Sequence, residues 1–103
     1  PSKPFYLYAP EILSRIPVSR SGFISFRGDI PAPFKAVHTL SPTGDLREYA
    51  TRIFASMHQM EASDVEFIIA EPVPEEGIGI AVMDRLRKAA HPWGEGAPGG
   101  TKG

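Results

Sequence analysis

The segment "VEFIIAEPVP", residues 65–74, limits the fold more than any other part of the chain. Phe67 to Ala70 is apolar at every position rather than at alternate ones. A strand with one wet face alternates, whereas a strand covered on both faces does not. The run therefore predicts a central strand, with packed layers above and below it. Pro72 and Pro74 end the strand, because proline has no amide hydrogen to give to a ladder.

One covering layer is legible in the next clearest pattern. Leu46, Tyr49, Ala50, Ile53, Phe54, Met57 and Met60 recur at spacings of three and four, which predicts a helix over 45–60 with this stripe on the core. Asp45 and Glu48 have the spacing of a capping box, Asp as acceptor and Glu reaching back. Full burial of Phe54 would make its replacement by alanine cost about 3–5 kcal/mol. A second helix is expected from about Gly77 to Ala90. Glu75 and Glu76 stand at its positive end and Arg85, Arg87 and Lys88 near its negative end, both favourable to the helix dipole. Asp84 and Lys88 are one turn apart and can pair.

Shorter strands precede these elements. Phe5 to Tyr8 is aromatic and bracketed by Pro4 and Pro10, which suits an edge strand. Glu11 to Ile16 has room for one or two helical turns before Pro17. Gly22 to Phe26 and Ala36 to Leu40 read as further strands. "RGDIPAPFK" between them is a loop, and its Arg-Gly-Asp reads as a turn rather than an integrin ligand. That connection is too short for a helical crossover, so the direction of the third of these strands is open. Alternating strands and helices predict a small three-layer α/β domain with a mainly parallel sheet of four to five strands.

The chain has 103 residues, which suits one domain over 1–91. Residues 92–103, rich in Gly and Pro, are expected to be a flexible tail in which Trp93 alone could dock back. A net charge of −1 and an isoelectric point near 6.4 argue against a general grip on nucleic acid. With no cysteine there is no disulfide framework, thiol catalysis or thiolate metal site. No apolar run is long enough for a membrane helix and no signal peptide pattern is visible, so a cytoplasmic location is expected.

Gly77-x-Gly79 follows a strand and opens a helix, the context of a dinucleotide-binding turn. The third glycine of that pattern would fall on Val82, and Glu71, Glu75 and Glu76 crowd the end where a pyrophosphate needs positive potential. The simpler reading is that both glycines allow close packing at the helix start. His38, His58 and His91 have no metal-ligand spacing. Ser19-Arg20-Ser21 reads as a loop, and no nucleophilic triad follows from spacing.

The stretch from Ser41 to Ala90 resembles the C-terminal accessory domain of the longer threonylcarbamoyl-AMP synthases, the Sua-five type. The matching residues are Ser41-Pro-Thr-Gly-Asp45, Glu71-Pro72, Pro74-Glu75-Glu76-Gly77, and Asp84-Arg-Leu-Arg-Lys-Ala-Ala90. Gly22 to Phe26 is similar to the family's second strand. The resemblance implies a Rossmann-like fold. It further implies a non-catalytic domain that docks on and assists a catalytic domain, in cis or in trans. The full-length family joins L-threonine, bicarbonate and ATP, with Mg, into the adenylate used for a tRNA adenosine modification. No cofactor is expected in this chain, nor direct contact with nucleic acid or membrane. Leu7-Tyr-Ala-Pro10 lacks the histidine of the family's linker motif and reads as part of the first strand.

The candidate ligand or domain interface is Glu71, Glu75, Glu76, Gly77, Asp84 and Arg85, around the strand end and the last helix. Alternatively, Asp84 and Arg85 pair with each other inside the fold. Two other readings are a sensing module for a nucleotide or amino acid, and an independent enzyme. No convergent set of titratable residues favours the enzyme.

Overall fold

A computed structural model describes residues 2–91. Four strands, β1 (Phe5–Leu7), β2 (Ser21–Ser25), β3 (Ala36–Thr39) and β4 (Phe67–Ala70), form one sheet in the order β1-β4-β2-β3. Two helices, α1 (Leu46–Ala62) and α2 (Ile78–Ala89), complete it with two short 3-10 turns, Pro10–Ser14 and Val18–Arg20. The expected tail at 92–103, Trp93 included, lies outside the described residues. No helix among the described residues is long and apolar enough to cross a membrane.

Every strand pairing is parallel. β4 lies between β1 and β2 and is buried at all four positions, as its unbroken apolar run predicts. β1 is an edge, in line with its prolines. The open direction of β3 is settled as parallel to β2, from Gly22 opposite Ala36 to Ser25 opposite Thr39. No helix is needed for that return. The connecting loop folds back over one face of the sheet, where Phe34 stacks on Phe23 with ring centres 4.7 Å apart.

The layers follow from the order of the strands. From β1 to β2 the chain steps across β4 in one direction, and from β3 to β4 it steps across β2 in the other. Two parallel crossovers of the same hand that travel in opposite directions must lie on opposite faces. Accordingly α1 and α2 pack together on one face, where Tyr49, Ile53, Met60, Val82 and Leu86 meet Phe5, Ile24 and Ile68. The β1–β2 connection covers the other face, where Ile12 and Ile16 meet Tyr6, Phe23 and Ile69. The third layer is thus a thin one of 3-10 turns and loop. Each large apolar side chain buried in these two clusters contributes about 1.5–3 kcal/mol.

The start of α1 differs from the capping box in one half. Asp45 caps the helix, accepting from the Arg47 and Glu48 amides at 2.9 and 3.4 Å. Glu48 does not reach back, because the buried Ser41 hydroxyl already accepts from the Asp45 amide at 2.8 Å. Glu48 instead pairs with Arg52, one turn on, at 3.1 Å.

The apolar stripe is also uneven. Ile53 is fully buried, whereas Phe54 is only partly covered and carries the Arg85 guanidinium 4.1 Å above its ring. Replacing Ile53 by alanine should cost about 2–5 kcal/mol in urea unfolding. Phe54→Ala should cost less than Ile53→Ala, because a half-buried ring leaves less of a cavity.

Candidate functional site

A parallel sheet delivers the carboxyl ends of all its strands to one rim, where ligands and partners gather. Glu71, the residue that follows β4, is the junction of that rim. Its amide donates to the Ile24 carbonyl at 2.9 Å, extending the β2–β4 ladder. Its carbonyl accepts from the Tyr49 hydroxyl of α1 at 2.9 Å. Its carboxylate Oε1 accepts from the Phe26 amide at 2.7 Å and the Ser25 hydroxyl at 3.3 Å. Ser25 Oγ in turn accepts from the Gly28 amide at 2.8 Å. One residue therefore ties β4, the end of β2 and α1 together. Burial pushes the Tyr49 phenol well above its usual range, and the Glu71 carboxylate pushes it the same way. Tyr49 therefore stays a neutral hydrogen-bond donor.

Beside Glu71 the rim opens into a crevice of about 540 Å³. Its walls include Tyr8 after β1, Phe23 of β2, and Asp29, Ile30 and Pro31 of the loop after β2. This is the point where neighbouring strands send their connections to opposite faces, between β2 and β4.

The six residues expected to form an interface do not converge. Only Glu71 lines the crevice. Glu75 pairs with Arg87, which donates to it from both terminal nitrogens and holds its carboxyl below the usual carboxylate range. Glu76 is exposed, and its carbonyl accepts from the Gly79 amide at 2.9 Å. Gly77 caps α2 at φ 54° and ψ −131°, a backbone conformation that L residues avoid. Asp84 pairs with Lys88 at 3.0 Å, while Arg85 lies over Phe54. Asp84 and Arg85 therefore do not pair with each other.

Next to these residues the α2 start leaves two isoleucines in the open, Ile78 at 41 % and Ile80 at 56 % exposure. Gly79 between them is buried against the Pro74 carbonyl and the Leu46 side chain. A Cβ at Gly79 would overlap that carbonyl oxygen. The close packing expected of the Gly-x-Gly pair thus falls to Gly79, and the unusual backbone to Gly77.

The sequence reading missed the crevice residues Tyr8, Phe23, Asp29, Ile30 and Pro31. The usable signal was topological. In a parallel sheet the loop after β2 and the residue after β4 end on the same rim, and the adjacency of β2 and β4 makes the Arg-Gly-Asp turn and Glu71 neighbours there.

These features define a small all-parallel α/β domain with an open crevice at its strand ends and an acidic, apolar shoulder at its last helix. The family model for the threonylcarbamoyl-AMP synthase C-terminal domain matches residues 4–91, and the chain belongs to that family. Among curated relatives, threonylcarbamoyl-AMP synthase of Pyrococcus abyssi is 44 % identical over 45 residues, which are 44 % of this chain and 13 % of that protein. The Bacillus subtilis protein of the same name is 40 % identical over 45 residues, with the same two shares. That of Schizosaccharomyces pombe is 39 % identical over 46 residues, 45 % of this chain and 11 % of that protein. The match therefore spans only a small part of these relatives. No solved structure gives a significant match.

Two substitutions test the junction and the helix start. Tyr49→Phe removes the bond to a buried carbonyl and should cost about 1–3 kcal/mol in urea unfolding. Gly79→Ala forces the α2 start away from Pro74 and should cost about 1–3 kcal/mol in the same assay. Gly77→Ala meets no atom within 4 Å and tests backbone strain alone.

Proposed function

We propose that this domain is a non-catalytic accessory module of a threonylcarbamoyl-AMP synthase, docking on a separate catalytic domain and assisting it in tRNA adenosine modification. Family membership supports the setting. The observation that carries the docking reading is the shoulder at the start of α2. There Ile78 and Ile80 are exposed beside Glu75 and Glu76, in the Pro-Glu-Glu-Gly stretch that most resembles the family. Apolar side chains flanked by charge suit the centre and rim of a protein interface. The partner surface would be apolar with a basic margin. ATP, Mg and threonine would bind the catalytic domain, not this one.

A second reading, a small-ligand sensing module, is favoured by the crevice beside Glu71. Its position at the switch point of a parallel sheet is where such ligands bind in α/β domains.

The size of the native polypeptide separates attachment in cis from attachment in trans. An antibody to this domain should detect a band several times heavier than 11.2 kDa if the domain is one part of a synthase chain. Docking itself is tested by mixing the domain with the catalytic domain and measuring association by calorimetry. Ile80→Ser combined with Glu75→Lys and Glu76→Lys should weaken association by about tenfold or more, since a central apolar contact is lost and the rim charge reversed. Unchanged affinity would remove this shoulder from the interface.

A further inference from the structure

The crevice beside Glu71 carries a chemical preference. Two acidic residues line it, Glu71 after β4 and Asp29 in the loop after β2. They follow different strands and line the same open crevice of about 540 Å³. Among the described residues, no lysine, arginine or histidine lines it. Neither carboxylate has an ion pair among the described residues. The nearest basic residue in sequence, Arg27, runs beside Gly44 and away from the crevice lining. The remaining walls are apolar or aromatic. Tyr8 stands edge-on to Phe23 at 5.7 Å, and Phe23 is itself fixed by its stack on Phe34. Ile30 forms an exposed lip.

We propose that this crevice binds a cationic group, a primary ammonium or a guanidinium, carried on a short apolar stem. Two carboxylates without an ion pair among the described residues, placed in one cleft, raise the local concentration of cations and repel phosphates. The Glu71 carboxylate is already oriented by the Phe26 amide and the Ser25 hydroxyl, so it needs no rearrangement to accept from a ligand. The Tyr8 ring offers a face to a cation, and Ile30 and Pro31 offer cover to the stem. The same geometry disfavours a nucleotide, whose phosphates would meet Asp29 and Glu71. The proposal rests on the sensing reading and is independent of docking at α2. One chemistry has two sources here, a free amine or guanidine, and a lysine or arginine side chain of the catalytic domain.

The test is an NMR titration of the isotopically labelled 103-residue chain at neutral pH with three probes: agmatine, AMP and the catalytic domain. Agmatine should shift the amides of Tyr8, Gly28, Asp29 and Glu71 in a saturable way, and AMP should leave them unmoved. Asp29→Asn, at an exposed position, and Glu71→Gln, which keeps its acceptor oxygen, should each weaken agmatine about tenfold, the loss of one charge-assisted hydrogen bond. Shifts caused by the catalytic domain but not by agmatine, and weakened by Asp29→Asn, would support the site with a partner side chain as its occupant. Shifts with AMP alone would overturn the cation preference and leave the sensing reading standing. Crevice amides unmoved by all three probes would overturn both. Agmatine binding that is indifferent to Asp29→Asn and Glu71→Gln would place it elsewhere and overturn the proposal.

Discussion

All neighbouring strands in this sheet are parallel, and that constraint governs the rest of the molecule. A parallel strand cannot be reached by a hairpin, so each connection must carry the chain back along a face of the sheet. The faces are therefore covered by the connections themselves. The strand order sends the β1–β2 and β3–β4 crossovers in opposite directions, and a common hand then puts them on opposite faces. Three layers follow with only two α-helices among the described residues to build them. The face without α-helices is closed by Ile12 of the first 3-10 turn, by Ile16 just beyond it and by Phe34 from a loop.

The same constraint builds the functional rim. Loops that leave parallel strands all emerge at one end, so residues distant in sequence become neighbours there. Glu71 shows the consequence in detail. Its backbone lengthens the central ladder, its carbonyl receives the α1 tyrosine, and its carboxylate shapes the loop after β2. A single residue then ties three elements together and also lines the crevice, which is why Glu71→Gln is a more informative change than Glu71→Ala. The α2 shoulder is different in kind. Its glycines set the helix start, one by close approach and one by backbone angle, and its isoleucines are left uncovered. Crevice and shoulder involve different side chains, so the proposed ligand binding and the proposed docking can be separated by mutation.

Much of the architecture was legible from local pattern. The unbroken apolar run at 67–70 is a central strand, the stripe from Leu46 is a core-facing helix, and the prolines around Phe5 to Tyr8 mark an edge. Less of the site was legible. Glu71 was singled out and does line the crevice, and Asp84 pairs with Lys88 as their spacing of one turn predicts, but Glu75 is engaged by Arg87, through a long side chain whose reach no spacing rule gives. Phe54 fits the stripe and is nevertheless only partly covered, with the Arg85 guanidinium over its ring. The second half of the capping box was displaced by Ser41, a competitor that only the folded turn brings within reach.

What the sequence by itself determined was therefore the set of elements, their polarity of burial and the family to which they belong, since periodicity, capping residues and prolines act over a few neighbouring residues. What only the tertiary structure decided was the direction of β3, the thinness of the third layer and the meeting of Asp29 with Glu71. Those depend on strand order and on the hand of crossovers, which are properties of the chain's path through space. Asp29 and Glu71, far apart in sequence, share a crevice because two parallel strands end side by side, and nothing in either local segment records that.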